Sequence, residues 1–384
     1  MYVKNKKLIT ILFIFIILGA LYFFVYMKNN SEPKAPIDTT AIQKKEEIKN
    51  IFNEIGQDAL RGDASATAMQ YQKLLQRSDL SEIEKLNLKL DYALALSAQG
   101  NEGVEKAYGV LHEILESQSA TPAIQANAIN AGLSIYYTDL NTNKLRLLLN
   151  SQFFTTKNVP NADDGLIARR IAEVANSLFP TSIGIIREAF WYGQQLRNNQ
   201  KLPSDLKDAY IEKIITALDS SKKISEEQKT SSIQHYNTEV WKYTENAYRA
   251  YLLGILAVTD KKYVDDMRTE YQALFASDSK NETNIPLMQA SVYSYFYYAS
   301  MLKTIDPVLY KNDIDTSIER LLALIQMLET KIDSSNGEIA FVQFLQQENQ
   351  RSVSNSNYIY FIGLSEYSDA FKNMLMKYGW VFSK

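Results

Sequence analysis

The chain of 384 residues contains no cysteine and only two histidines, His112 and His235. The absence of cysteine excludes disulfides, thiolate catalysis and cysteine-ligated zinc sites. The two histidines lie far apart and neither belongs to an HExxH pattern, so no histidine metal site is indicated. The patterns GxxxxGK[ST], GxGxxG and GxSxG are also missing. The motifs therefore predict no enzyme activity, no metal site and no cofactor.

Positive charge is not in excess either. The chain has 41 Lys and Arg against 44 Asp and Glu, which gives a formal charge of −3. Residues 1–28 hold four lysines and no acidic residue, so the remaining chain has a charge of −7. Nucleic-acid binding needs clustered basic residues to neutralise phosphates. An acidic body therefore argues against nucleic acid as a partner.

One long hydrophobic run stands out, Leu8–Met27, with twenty residues and no charge. At about 1.5 Å of rise per residue, a helix of this length spans roughly 30 Å, the thickness of a bilayer core. A cleaved secretory signal is the alternative interpretation. However, signal peptides have shorter apolar cores of about 7–15 residues and a small-residue cleavage site, which is missing after Met27. The run predicts an uncleaved, single-pass transmembrane helix in the plasma membrane.

The basic residues near this run suggest its orientation. Three lysines lie in residues 1–7, and only two lie close behind the span, where Glu32 and Asp38 offset them. Positive residues favour the cytoplasmic side. We therefore expect a short cytoplasmic N-terminus (1–7), the span (8–27), a linker (28–40) and an extracytoplasmic body.

From Ala41 onward the apolar spacing is helical and no convincing strand pattern occurs, which predicts an all-α body. Ser81 and Glu84 have the spacing of a capping box, and Thr121–Pro122 is typical of a helix start. An aromatic-rich helix is predicted over Ile285–Thr304. We expect repeats over residues 41–150 and a further helical array over 151–384.

A self-match at a spacing of 39 residues is the most specific pattern of the body. Small or apolar residues pair at this spacing as Gly56 with Ala95, Ala59 with Ala98, Ala68 with Ala107, and Leu75 with Ile114. Small residues allow the two helices of a hairpin to approach closely. With Leu94 before Ala95 and Leu111 after Ala107, this stretch resembles the tetratricopeptide repeat (TPR) family.

The resemblance covers about residues 44–150 and differs from the family in its period, because TPR units are 34 residues long. It implies an α-solenoid whose hairpins pack through Gly56, Ala59, Ala68, Leu94, Ala95, Ala98, Ala107 and Leu111. It also implies binding of proteins or peptides without catalysis. An ordinary helical bundle is the alternative fold.

Aromatic residues form the second group of candidates. Tyr293, Phe296 and Tyr297 share one face of the predicted helix Ile285–Thr304. They are candidate binding-surface aromatics for a peptide or a sugar ring. The alternative, which we favour, is a core stripe with hydroxyl groups at its edge, and Trp191–Tyr192 is interpreted in the same way.

The sequence therefore predicts a TPR-like α-solenoid behind a single transmembrane helix. The expected function is a membrane-anchored protein-binding scaffold, or an accessory subunit of a cell-envelope assembly. One alternative is an envelope module on an α/α fold that binds or cleaves glycans, and another is a structural protein associated with filaments. The expected partners are the membrane and other proteins or peptides.

Overall fold

The computed structural model describes most of the chain after residue 62. The described residues are 63–139, 142–155, 157, 159, 164–198, 201–227, 238–276, 285–331, 363–380 and 382, together with several positions between 47 and 58. Contacts divide the chain between Asn50 and Ile51, and every helix numbered below belongs to the unit Ile51–Lys384.

Every regular element in the described residues is a helix, so the predicted all-α class is confirmed. A short 3₁₀ turn, Lys261–Tyr263, joins two of the helices. In chain order the helices are α1 (Ala64–Leu75), α2 (Glu82–Ser97), α3 (Asn101–Glu116), α4 (Pro122–Asp139), α5 (Thr142–Leu149), α6 (Gln152–Thr155), α7 (Asp164–Leu178), α8 (Ser182–Asn198), α9 (Ser204–Glu227), α10 (Thr238–Thr259), α11 (Val264–Phe275), α12 (Ile285–Ile305), α13 (Lys311–Lys331) and α14 (Asp369–Lys377).

Local signals place several helix ends where the sequence predicts them. Ser81 and Glu84 form the capping box of α2, with both reciprocal hydrogen bonds present. The Thr121 hydroxyl accepts the amide of Ile124 at the start of α4. Gly100 has a φ of 81° between α2 and α3, a conformation that a residue with a side chain rarely adopts.

The helices pack in a repeat-like order. Each of α2, α4, α7, α8, α10 and α12 contacts the next member of this row. A second helix covers most of them, since α3 packs on α2, α9 on α8, α11 on α10 and α13 on α12. This pattern of hairpins with neighbour contacts is typical of helical arrays.

Two large apolar cores lie along the row. The N-terminal core extends from Ala68 to Ala175, and the C-terminal core extends from Ile186 to Leu375. Phe154 and Ile167 belong to the N-terminal core. The N-terminal core thus ends in α7, and the C-terminal core begins in α8. The predicted domain boundary after residue 150 stays a prediction.

The residues predicted to pack between repeats have different environments. Ala68, Ala107 and Leu111 are buried in the N-terminal core, and Leu94 and Ala95 are half-buried against it. Gly56 and Ala59 lie outside the described residues. The prediction for Ala98 is corrected by the structure, because Ala98 is the exposed C-cap of α2, one residue beyond the end of the helix at Ser97.

The predicted span Leu8–Met27 also lies outside the described residues. Among the helices that the structure does describe, none is both long enough and apolar enough to cross a bilayer.

Candidate functional site

Helix α8 has two chemically different faces. Its start is fixed by the Thr181 hydroxyl, which accepts the amide of Gly184 at 3.1 Å. One face holds Ile186, Ala189 and Phe190, which lie in the C-terminal core. The other face begins at Gly184 and continues with the polar and aromatic side chains of Arg187, Glu188, Trp191 and Tyr192, which lie three or four residues apart.

Arg187 is enclosed where the two apolar cores meet, and none of its surface is exposed. Its guanidinium donates to the backbone carbonyl of Asn130, to Asn130 Oδ1 at 3.3 Å and to the Ser134 hydroxyl. The side-chain amide of Asn130 donates to Thr181 Oγ1 at 3.1 Å. These hydrogen bonds join α4 to the start of α8. They also supply the partners that buried polar groups need within the protein.

Asn176 links α7 to α8 in the same region. Its Nδ2 donates to Glu188 Oε2 at 3.0 Å. Its Oδ1 is buried and has no hydrogen-bond donor among the described residues. A Cβ atom built on Gly184 would lie 2.4 Å from this oxygen, so a larger residue fits there only if a neighbouring side chain shifts. We call this group the polar seam and define it as Asn130, Ser134, Asn176, Thr181, Gly184, Arg187 and Glu188.

An arginine–aromatic cluster lies further along the same face of α8. It consists of Arg169, Glu173, Trp191, Tyr192 and Tyr210, all of them half-buried. The Arg169 guanidinium carbon lies 5.1 Å from the ring centroid of Trp191 and 5.1 Å from that of Tyr192. Tyr210, from α9, contacts both rings at centroid distances of 5.7 and 5.4 Å. Three helices thus bring one cation and three aromatic rings together at the protein surface.

Glu173 holds the arginine in this position. Arg169 donates to Glu173 Oε1 from Nε at 2.8 Å and from Nη2 at 2.6 Å, and Arg170 donates to Oε2 at 2.6 Å. Partial burial disfavours the ionised carboxylate, but the hydrogen bonds from both arginines outweigh it and lower the pKa of Glu173. Burial raises the pKa of Tyr192. The cluster therefore keeps a fixed carboxylate, a stacked guanidinium and a neutral Tyr192 phenol at neutral pH.

No protein-family model, curated protein or solved structure matches this chain. The chemistry of the side chains is thus the basis for inferring a function. Within the described part of the chain, no three His, Asp or Glu side chains are arranged to hold a metal ion. Glu173 stays ionised and accepts hydrogen bonds from two arginines, so its carboxylate has no proton to give as a general acid.

The aromatic residues predicted from the sequence lie elsewhere, on α12. Phe296 is 1% exposed and stacks near Phe371 at a centroid distance of 6.2 Å, so it is a core residue and not a binding-surface residue. Tyr297 is half-buried and packs edge-on against Tyr251 at 4.8 Å. Tyr293 is half-buried against the same core, and burial raises its pKa.

Sequence reasoning did not find the arginine–aromatic cluster. Trp191 and Tyr192 were assigned to a core stripe, and Arg169 lies more than twenty residues earlier in the chain. One signal was available, since Arg169 and Glu173 are four residues apart on one predicted helix and form an i,i+4 ion pair. That pair marks the face of α7, but it gives no information about which rings pack on it.

Proposed function

We propose that the protein is a scaffold, anchored in the plasma membrane by Leu8–Met27, that binds other proteins through the arginine–aromatic cluster. The helical body then lies outside the cytoplasm and belongs to a cell-envelope assembly. The repeat-like packing of hairpins supports a TPR-like solenoid, a type of fold that generally presents binding surfaces.

One observation supports the binding site above all others. Arg169 lies over both Trp191 and Tyr192, while all three side chains keep part of their surface exposed. Tryptophan, tyrosine and arginine are the residues most enriched among those that dominate the binding energy of protein interfaces. These side chains are also pre-organised, because Glu173 fixes the guanidinium. Binding therefore loses less conformational entropy than it would with free side chains.

The same geometry makes a glycan a weaker candidate. A sugar ring would stack on an aromatic face, but Arg169 lies over the faces of Trp191 and Tyr192. Glycan cleavage would need a protonated carboxylic acid beside a second carboxylate. The lowered pKa of Glu173 keeps this group ionised.

The test is site-specific photo-crosslinking of the full chain in its native membrane. A photo-reactive amino acid replaces Lys213, an exposed residue about one helical turn after Tyr210 on α9. We expect a discrete protein adduct at this position. The matched control places the same group at Met69, an exposed residue of α1 that is 54% exposed.

The adduct must also depend on the cluster. Tyr210→Ala and Arg169→Ala, each combined with the photo-reactive group at position 213, should reduce the adduct while the helical circular dichroism stays unchanged. A yield that is equal at positions 69 and 213, or that is unaffected by both substitutions, would contradict the proposed binding site.

A further inference from the structure

The turn between α12 and α13 presents an apolar tip, defined as Val308 and Leu309. Val308 is 84% exposed and Leu309 is 69% exposed, the two highest values for large hydrophobic residues in the described chain. Single exposed hydrophobic residues are common on protein surfaces. Two adjacent ones at the end of a helical hairpin form a small convex apolar surface.

The apolar tip is held in place by its own turn. Asp306 Oδ1 accepts the amide of Val308 at 3.1 Å and the amide of Leu309 at 2.9 Å. The Tyr310 amide donates to the backbone carbonyl of Asp306 at 3.2 Å and closes the turn. The turn therefore fixes the two side chains in solvent, and exposing them does not require a rearrangement.

Lysine side chains lie near the turn that holds the tip, and Tyr310 follows the tip in the chain. The neighbouring 3₁₀ turn contains the exposed Lys261 and Lys262, and the charge of Lys261 reaches Asp306. Lys311 lies two residues after Leu309. Two of these lysines are paired, Lys262 with Asp260 at 2.8 Å and Lys311 with Asp315 at 2.5 Å. The rim is thus amphipathic but close to neutral.

We propose that the apolar tip inserts into the headgroup and upper acyl region of a lipid bilayer, as a second membrane contact of the protein. This inference rests on the proposed membrane anchor. Val308 and Leu309 supply the buried apolar surface, while the lysine and tyrosine rim stays at the polar interface, where such amphipathic side chains are favoured.

The size of the tip favours a membrane over a protein partner. A stable protein interface buries roughly 800 Å² on each side, which two side chains do not supply. A weak membrane contact is sufficient for a chain that is already tethered, because the tether raises the effective concentration of lipid at the tip. Since Lys262 and Lys311 are paired and the charge of Lys261 acts on Asp306, apolar burial rather than attraction to anionic lipid drives the insertion.

The absence of native cysteine allows a direct test with the full chain. Leu309→Cys, labelled with an environment-sensitive fluorophore, is reconstituted into lipid nanodiscs of phosphatidylcholine with or without a spin label near the headgroup. We expect emission at shorter wavelength and strong loss of emission when the spin-labelled lipid is present. The control is Met69→Cys with the same label, for which we expect neither change.

Each outcome distinguishes one possibility. Insertion would be overturned by solvent-like emission at position 309 or by equal quenching at positions 69 and 309. Emission at shorter wavelength without quenching by the spin-labelled lipid would also overturn it, and would indicate a protein contact. Val308→Asp in the Leu309→Cys background should abolish the quenching, and Val308→Ile should preserve it. Quenching confined to nanodiscs with anionic phosphatidylglycerol would overturn insertion by apolar burial.

Failure of the anchor gives a different result. Co-elution of the chain with nanodiscs reports on the anchor, and quenching reports on the tip. If the chain co-elutes with nanodiscs but the label is not quenched, only the insertion of the tip is overturned. If the chain does not co-elute and the label is not quenched, both the anchor and the insertion are overturned. Quenching does not depend on the arginine–aromatic cluster, so loss of the crosslinked adduct leaves this test intact.

Discussion

Replacing Gly184 by alanine tests whether the polar seam is as closely packed as its geometry indicates. The added methyl group would lie 2.4 Å from Asn176 Oδ1 and 2.9 Å from Thr181 Oγ1. Neither neighbour moves freely, because Asn176 donates to Glu188 and Thr181 accepts from Asn130. The substitution therefore requires either a displaced helix or a broken hydrogen bond.

The magnitude follows from two opposing effects. Overpacking a closely packed site typically costs about 1–3 kcal/mol, while alanine is favoured over glycine inside a helix by up to about 1 kcal/mol. We expect Gly184→Ala to lower the free energy of unfolding by about 1–2 kcal/mol. The matched control is Gly109→Ala on α3, where a Cβ atom meets nothing within 4 Å. It should raise the free energy of unfolding by up to about 1 kcal/mol.

The assay is urea unfolding of the full chain in detergent, followed by far-ultraviolet circular dichroism. Amide hydrogen exchange should locate the loss of stability in α7 and α8. In the Asn176→Ala background, where the clashing oxygen is absent, Gly184→Ala should be less destabilising. Equal stabilisation by Gly184→Ala and Gly109→Ala would refute the close packing of the seam.

Two further predictions concern α2–α3 and α12. Ala107→Leu should overpack the buried helix contact and lower the free energy of unfolding by about 1–3 kcal/mol. Ala98→Leu, at the exposed C-cap of α2, should change the free energy of unfolding little. Urea unfolding compares the two variants, and equal effects would contradict the assignment of Ala107 as buried and Ala98 as exposed. Burial, with the nearby Asp313 carboxylate, raises the pKa of Tyr298 to about 12, above the value of about 10 expected in the unfolded chain. Its contribution to stability is fully present below about pH 10 and is lost as the pH rises towards 12. Tyr298→Phe should therefore make the free energy of unfolding depend less on pH between about 10 and 12. Urea unfolding at each pH measures this dependence, and ultraviolet titration of the phenols checks the pKa.

Helix ends were predictable because their signals are local. Ser81 and Glu84 are three residues apart, and the hydrogen bonds that they form depend on little beyond the first turn of α2. The same holds for Thr121 and Pro122 at the start of α4. The all-α class followed from the apolar spacing, which extends over the whole body.

The face of α2 that packs inward was predicted only in part. Leucines at positions 86, 88, 90, 94 and 96 populate several faces of this helix, so more than one helical stripe fits the sequence. The spacing favours the stripe Ile83, Leu86, Leu90, Leu94 and Ala98. In the structure Leu86 and Leu90 of this stripe are buried, together with Ala93 and Leu96, whereas Ile83 and Ala98 are exposed. The contacts of α2 with α1, α3 and α4 distinguish these stripes.

The candidate site was less predictable than the fold because its members come from distant parts of the chain. Arg187 and Asn130 are 57 residues apart, and Asn130 and Thr181 are 51 residues apart. Each of these polar residues is unremarkable within its own helix. Their meaning depends on which helices become neighbours, and a single sequence does not contain that information.

The polar seam and the arginine–aromatic cluster are physically connected through one face of α8. The hydrophobic effect is non-directional, whereas directional hydrogen bonds favour one relative position of the helices. The seam holds α8 against α4 and α7 through Arg187 and Glu188. Trp191 and Tyr192 follow on α8 one helical turn later, so the same hydrogen bonds determine where their rings lie beneath Arg169. The polar seam thus positions the half-buried rings proposed to bind a partner.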